Sequence, residues 1–301
     1  MKNASTNTLD TQKNDSKAPS IVIPNTVVEL VISWDKIDTQ FQKVIRKYQP
    51  QVKTSGFRKG KAPASLVIQT VGKSALYDEA LEKVLPVAYT QLITEKKFEP
   101  LGLPAIKLIE SEENKDWKFE VQIGLRPELK LGAYKKIIEK AKKESEKVLN
   151  EKKKTEAKVE KDEKQLEKQQ QDEKNEKLNT VLRMLIEEIK PKVPQLIIEQ
   201  EAERSLRDMD TQLRQLNIEP ATYLKSLGKS VEDLQQEHLS RALGTWQVEL
   251  LLHAIAEEEK IVISEEEVEK IAHAQPGNHL DHSSVRSVLR KQKVLDFLLE
   301  V

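Results

Sequence analysis

The most distinctive stretch of the chain is Gly56-Phe57-Arg58-Lys59-Gly60-Lys61-Ala62-Pro63. Phe57 has no apolar partner at helix or strand spacing, and three cations and two glycines surround it. Such a segment predicts a loop that presents an aromatic anchor inside a basic rim. Aromatic and Arg side chains are common interface anchors, and the cations can reach phosphates or carboxylates. The alternative is an ordinary basic turn with Phe57 packed into the core.

Strand and helix signals alternate on both sides of this loop. Val28, Leu30 and Ile32 follow a strand alternation, and a helix pattern follows them. The apolar face of that helix consists of Ile37, Phe41, Val44 and Tyr48. After the loop we expect a short helix to Val71 and a longer one over 74–97, then strands over 105–109 and 117–123. The pattern predicts an α+β domain with a small sheet, over residues 21–134.

Residues 178–301 carry helical periodicity throughout. Ser230 with Asp233, and Ser264 with Glu267, have the spacing of capping boxes at helix starts. Gly228 ends a short helix that begins near Pro220. We therefore predict an all-α C-terminal domain, and a chain that is predominantly helical.

Residues 135–177 are rich in Lys, Glu and Gln and contain neither Gly nor Pro. Strong helix formers dominate, with i,i+4 ion pairs in the favourable order. The apolar seam through Ala141, Val148, Val159 and Leu166 is too sparse for a stable coiled coil. We interpret the segment as a charged helical connector, a single solvated helix or a partly disordered linker, about 60 Å long if fully helical. A dimerising coiled coil is the alternative.

Composition excludes several classes of protein. The 301 residues contain 50 Lys and Arg against 50 Asp and Glu, so no global field directs the chain to nucleic acid. The absence of cysteine excludes disulfides and thiol catalysis. Residues 1–20 are expected to be a disordered tail rather than a signal or transit peptide. No segment has the apolar length of a membrane span, so we expect a cytoplasmic protein without membrane contact.

The stretch from Gly56 to Pro63 resembles the ribosome-binding signature of the trigger factor family, and the order of elements around it also fits. In that family the tip docks on a rim protein of the ribosomal exit tunnel, with ribosomal RNA nearby. The resemblance therefore implies docking roles for Phe57, Arg58 and Lys59. It implies that Gly56 and Gly60 shape the turn, and that Lys61 adds charge.

Residues 178–301 are similar to the helical chaperone domain of the same family, which forms a cradle for nascent or unfolded polypeptides. The cradle needs partly exposed apolar side chains. Our candidates for client binding are Met209, Leu213, Leu216, Ile218 and Tyr223. For each of them, plain helix-packing core is the alternative. The resemblance also allows a homodimer away from the ribosome.

The chain departs from the family between Leu131 and Leu178. Trigger factors usually insert an FKBP-like prolyl isomerase domain there, which needs roughly a hundred residues of strands and turns and an aromatic pocket. The charged connector cannot form such a fold. We therefore expect a chaperone and no enzyme, with no catalytic residue and no cofactor.

Several rival functions are weighed against this one. They are a prolyl isomerase as in the wider family, a ribosome-independent holdase, a coiled-coil scaffold and a secreted SurA-like chaperone. His273, His279 and His282 beside Asp281 match no familiar zinc spacing, so we expect a solvated loop and no metal.

Overall fold

The computed structural model describes residues 21–52, 62–155, 163–272 and 281–301, apart from the side chains of residues 152–167. Its strands are β1 (Val22–Ile23), β2 (Thr26–Ile32), β3 (Ala105–Glu110), β4 (Trp117–Ile123) and β5 (Val193–Pro194). Its N-terminal helices are α1 (Trp34–Tyr48), α2 (Ala64–Val71) and α3 (Lys73–Lys96). Its later helices are α4 (Tyr134–Thr155), α5 (Glu163–Ile189), α6 (Gln195–Gln215), α7 (Pro220–Leu227), α8 (Val231–Glu258), α9 (Glu265–Ala272) and α10 (His282–Glu300). The predicted fold class, a small sheet followed by helices, is confirmed.

The N-terminal sheet has three antiparallel strands in the order β2-β4-β3. Alternate residues of β4 are buried, which places Trp117, Phe119, Val121 and Ile123 on one face. That face packs on α3, because an amphipathic strand must cover its apolar side. In α1, Ile37, Phe41 and Val44 are buried as predicted.

A two-stranded parallel pair joins the two halves of the chain. Val22 of β1 lies opposite Val193 of β5, and Asn25 Oδ1 accepts a 2.8 Å hydrogen bond from the backbone N–H of Leu196. The side chain of Ile197 packs against Gly124, at the end of β4. A β-carbon built on Gly124 would come within 2.7 Å of Ile197 Cδ1, so the close approach requires glycine.

The charged middle of the chain differs from a single solvated helix. α4 and α5 pack side by side and form a helical hairpin, since only residues 156–162 separate them. In α4 the buried residues recur at intervals of three and four: Tyr134, Ile138, Ala141, Ser145 and Leu149. Tyr134, Ile138 and Ala141 share one core cluster with Val181 and Leu185 of α5. Of the seam predicted from the sequence, Ala141 is buried and Val148 is exposed. The side chains of Val159 and Leu166 lie outside the described residues.

The missing apolar partners of this hairpin come from distant helices. α8 contributes Leu251 and Ile255, and α10 contributes Val294 and Leu298, to one continuous core. Lys142 Nζ donates a 2.6 Å hydrogen bond to the Leu299 carbonyl and thereby ties α4 to the end of α10. Thus Ile138 and Ala141 of the charged segment are part of the C-terminal core.

The caps predicted in the C-terminal half are confirmed. Ser230 and Asp233 exchange the reciprocal bonds of a capping box at the start of α8. Ser264 and Glu267 make the same exchange before α9. Gly228 ends α7 in the left-handed region, with φ of 63°.

Candidate functional site

The predicted docking residues Gly56, Phe57, Arg58, Lys59, Gly60 and Lys61 lie outside the described residues. Their roles therefore remain predictions. The residues that bound this segment are described, and they fix where it leaves the fold.

Both ends of the segment are anchored in one core cluster. Val52 and Ala62 are buried together with Phe41, Val44 and Val67. Gln49, at the end of α1, donates a 3.1 Å hydrogen bond from Nε2 to the carbonyl of Ala62. The chain thus leaves and re-enters the domain at neighbouring points between α1 and α2.

α6, α7 and α8 form a second feature, a hairpin of two long helices with α7 at its tip. Asn217 ends α6 with a left-handed φ of 55°, and the Ile218 N–H bonds back to the Leu213 carbonyl at 2.9 Å. Ser205 of α6 and His238 of α8 form a 2.8 Å hydrogen bond across the pair. Burial lowers the pKa of His238, so a neutral ring is favoured in this contact.

The candidate client-binding residues separate into three groups by exposure. Leu216 is 68% exposed and Ile218 is 37% exposed. Met209 and Tyr223 are half-buried. Leu213 is buried, at 5% exposed, and therefore packs inside the hairpin rather than on its surface. The sequence analysis proposed all five residues together because periodicity alone does not separate exposed from buried positions.

Sequence reasoning missed two exposed apolar residues at the same tip. Leu227 is 42% exposed and Val231 is 51% exposed. Both adjoin a helix boundary: Leu227 precedes Gly228, and Val231 follows the capping Ser230. Val231 precedes Leu234 by three residues, in register with the buried stripe of α8, so periodicity alone gave no signal that it is exposed. We call Leu216, Ile218, Leu227 and Val231 the apolar tip.

Exposed ion pairs accompany the hairpin below its tip. Arg214 pairs with Asp210 at 2.8 Å, and Arg241 pairs with Glu237 at 3.2 Å. Lys229 also contacts Glu237 and holds the pKa of that carboxyl below its ordinary value. Such exposed pairs contribute little to stability but keep the flanks of the hairpin hydrophilic. The apolar tip is therefore bordered by charged helix surface.

A groove of about 960 Å³ lies where the N-terminal domain meets α8. Arg126 contacts His253 Nε2 in it. A guanidinium only donates, so Nε2 accepts and His253 is neutral in this contact. Burial first, and the Arg126 charge second, lower the pKa of His253.

No cluster of three potential metal-ligating side chains occurs within residues 21–52, 62–155, 163–272 and 281–301. His282 lies at the exposed start of α10, 3.6 Å from Glu265. His273 and His279 lie outside the described residues. None of the helices in the described part of the chain combines the length and apolarity needed to cross a bilayer.

Comparison with known proteins identifies the family. The family model described as bacterial trigger factor protein matches residues 23–168, and that of the trigger factor C-terminus matches residues 155–300. Together they cover nearly the whole chain. The chain belongs to the trigger factor family. The first match corresponds to the N-terminal part of trigger factors and the second to their C-terminal part.

Part of this chain is similar in sequence to curated trigger factors. It is 35% identical to a trigger factor of Pelotomaculum thermopropionicum over 114 residues, which are 38% of the chain and 26% of that relative. It is 37% identical to one of Staphylococcus carnosus over 109 residues, which are 36% of the chain and 25% of the relative. The matched segment thus spans about a quarter of the length of these trigger factors.

A solved structure supports the trigger factor fold. It comes from work on promiscuous substrate recognition in the folding and assembly activities of the trigger factor chaperone. The match covers 92% of this chain and 97% of the other, with a TM-score of 0.53 and 14% identity. At that identity the likeness concerns the fold alone. Between β4 and β5, the described residues of this family member form no strand, and α4 and α5 occupy them.

Proposed function

We propose that this chain is a molecular chaperone that docks at the ribosomal exit tunnel and holds nascent or unfolded polypeptides. The observation that carries the proposal is the apolar tip, where four large apolar side chains remain exposed on a hydrophilic hairpin. Two of them lie near each end of the short helix α7, and exposed apolar groups of this kind suit a binding site. Membership of the trigger factor family supports a chaperone role for them.

Docking is assigned to Phe57, Arg58 and Lys59, with Gly56, Gly60 and Lys61 shaping and charging the loop. The positions of Val52 and Ala62 support this assignment, because both residues are buried in one core cluster and so fix the two ends of the loop. Its partners would be a protein at the tunnel rim and adjacent ribosomal RNA. The basic side chains suit phosphates and carboxylates.

Client binding is assigned to the apolar tip together with the half-buried Met209 and Tyr223. Many weak apolar contacts can hold varied sequences, and Met adapts well to different partners. Release needs no nucleotide in this mechanism. The protein acts by binding in the cytoplasm and catalyses no prolyl isomerisation.

Co-sedimentation with ribosomes tests the docking assignment. The test variant changes Phe57, Arg58 and Lys59 to Ala. A charge-matched control changes the exposed Arg204 and Arg207 of α6 to Ala, which removes two cations elsewhere. We expect the native chain and the control to pellet with ribosomes and the loop variant to remain in solution.

If all three proteins behave alike, the loop is not the docking site. A ribosome-independent holdase would then lead, and suppression of client aggregation without ribosomes would measure that activity directly. The rate of cis–trans isomerisation of a proline peptide tests the alternative of a prolyl isomerase. We expect the chain to give no rate above the uncatalysed one.

A further inference from the structure

A second, smaller pocket lies between α8 and α10, and His253 lines both this pocket and the groove at Arg126. Its volume is about 260 Å³. Ser283, Ser287, Arg290 and Val294 recur at four, three and four along α10, so they share the face that lines it. Neither the chaperone mechanism nor the docking loop uses this pocket.

The charge of the pocket is positive and incompletely neutralised. Among the described residues, its walls carry Arg286, Arg290 and Lys291 against one carboxylate, that of Glu249. Lys291 pairs with Glu249 at 2.7 Å, and Arg286 pairs with Glu265 outside the pocket. Among the residues that the structure describes, Arg290 has no ion-pair partner.

Arg290 also carries an unsatisfied donor. Its Nε atom is buried, and no acceptor lies within hydrogen-bonding distance in the described part of the chain. Buried donors almost always have partners in native structures, so an orphaned guanidinium nitrogen beside a cavity needs an explanation. An oxyanion in the pocket would supply acceptors and charge together.

The N-terminus of α10 does not explain the arrangement. Asp281 already caps it and accepts a 3.1 Å hydrogen bond from the Ser284 N–H. An anion must therefore be held by side chains further along the helix. Ser287 offers a hydroxyl one turn before Arg290, and Arg286 adds a second guanidinium.

We propose that this pocket binds a small organic phosphate through Arg290, Arg286 and Ser287. Planar guanidinium groups match phosphate oxygens in a two-point geometry that lysine does not reproduce. The remaining wall is apolar, with Leu252, Ala256 and Val294, and it accepts a short carbon chain. The volume is below that of sites for drug-sized ligands, which favours a phosphomonoester of a few carbons.

Calorimetric titration of the full chain at fixed ionic strength tests this site. The probes are glycerol 3-phosphate, inorganic phosphate and succinate, which separate a phosphomonoester, the free ion and a carboxylate. The variants are Arg290→Gln and Ser287→Ala, and Arg214→Gln on α6 is the matched control. We expect saturable binding of glycerol 3-phosphate, weaker binding of inorganic phosphate, and about tenfold weaker binding in Arg290→Gln.

Several results would overturn the assignment. They are the absence of saturable phosphate binding, equal binding of succinate, or equal affinity in Arg290→Gln and the control. Circular dichroism checks folding first. If Arg290→Gln is unfolded, Ser287→Ala decides, since it removes one hydroxyl from an exposed helix position and should weaken binding several-fold. Ribosome co-sedimentation of Arg290→Gln should be unchanged, which separates this site from the docking proposal.

Discussion

Gln49 Nε2 donates a 3.1 Å hydrogen bond to the carbonyl oxygen of Ala62 and so closes the base of the proposed docking loop. Gln49→Ala removes this bond without touching the loop itself. We expect a loss of about 0.5–1.5 kcal/mol in the free energy of unfolding. We also expect several-fold weaker ribosome binding, because the loop ends are held less firmly. Chemical denaturation and co-sedimentation measure the two effects.

Gln51 supplies the control for that experiment. Its Nε2 donates at 3.4 Å to the carbonyl of Lys47, within the end of α1 rather than across the loop. Gln51→Ala should leave ribosome binding unchanged. Equal effects of the two substitutions would show that the bond across the base has no special role in docking.

Leu216 and Leu213 provide a test of the apolar tip. Leu216→Ser should reduce suppression of client aggregation while changing stability by less than about 0.5 kcal/mol, because the side chain is exposed. Leu213→Ala should instead cost about 2–5 kcal/mol of stability, since it opens a cavity in a buried position. Aggregation assays and denaturation curves on both variants check the pair. The idea fails if Leu216→Ser keeps full holding activity.

Gly124→Ala should destabilise the junction between the two halves of the chain. The added methyl group meets Ile197 at a distance that real β-carbons do not adopt, so the neighbours must shift. Overpacking of this kind costs about 1–3 kcal/mol. Gly244→Ala, in α8, is the matched control, because nothing lies near its β-carbon position. That change should stabilise by about 0.5–1 kcal/mol through helix propensity.

A double-mutant cycle with Ile197→Ala checks the cause. If the clash is responsible, Ile197→Ala should recover part of the cost of Gly124→Ala, and the two changes should not add. Strict additivity would indicate that backbone conformation at Gly124 is the reason instead.

His253 should make stability depend on pH. Burial and Arg126 lower its pKa below the ordinary value of 6.5, and Arg290 acts in the same direction. Glu257 and Glu249 oppose them but do not reverse the shift. The unfolded chain therefore binds more protons than the folded one below about pH 6.5. The contribution is present above that pH and is lost as the pH falls.

Denaturation of the native chain and of His253→Gln between pH 8 and pH 5 measures this dependence. The native chain should lose more stability than the variant across the range, because glutamine does not titrate. Parallel pH profiles would contradict the assignment. The lowered pKa of His238 adds a similar slope in both proteins and cancels in the comparison.

Substitutions at a buried and at an exposed apolar residue of α4 test which face of this helix is packed. Ile138→Ala should cost about 2–5 kcal/mol, because the side chain is fully buried against α5 and α8. Val148→Ala should be nearly neutral, since that side chain is 38% exposed. Thermal or chemical denaturation of the two variants distinguishes the packed hairpin from a solvated connector, in which both changes would be small.

Local patterns predicted the N-terminal sheet, the buried face of α1 and the caps of α8 and α9. Each depends on neighbours in sequence: alternation around Leu30, helical spacing around Phe41, and the Ser230–Asp233 offset. The family of the chain followed from one contiguous motif. These features need no knowledge of distant contacts.

The α4–α5 hairpin was not predictable in the same way. Ile138 and Ala141 stand among mostly charged residues, and their core partners Leu251 and Val294 lie more than a hundred residues away. A sparse apolar stripe is sufficient when other helices complete the core. Likewise, Leu213 and Leu216 are both leucines at the end of α6. Their different burial depends on where the neighbouring helices lie, which the local sequence does not specify.

The parallel pairing of Val22 with Val193 has a consequence for the order in which this protein is made. Synthesis proceeds from the N-terminus, so β1 emerges long before β5 exists. Its backbone groups must stay hydrated, or paired elsewhere, until residue 193 has been added. The three-stranded sheet can form early, but the β1–β5 pair that joins it to the C-terminal helices can form only after about two-thirds of the chain has been translated. A chain that is truncated before residue 193 therefore lacks this connection.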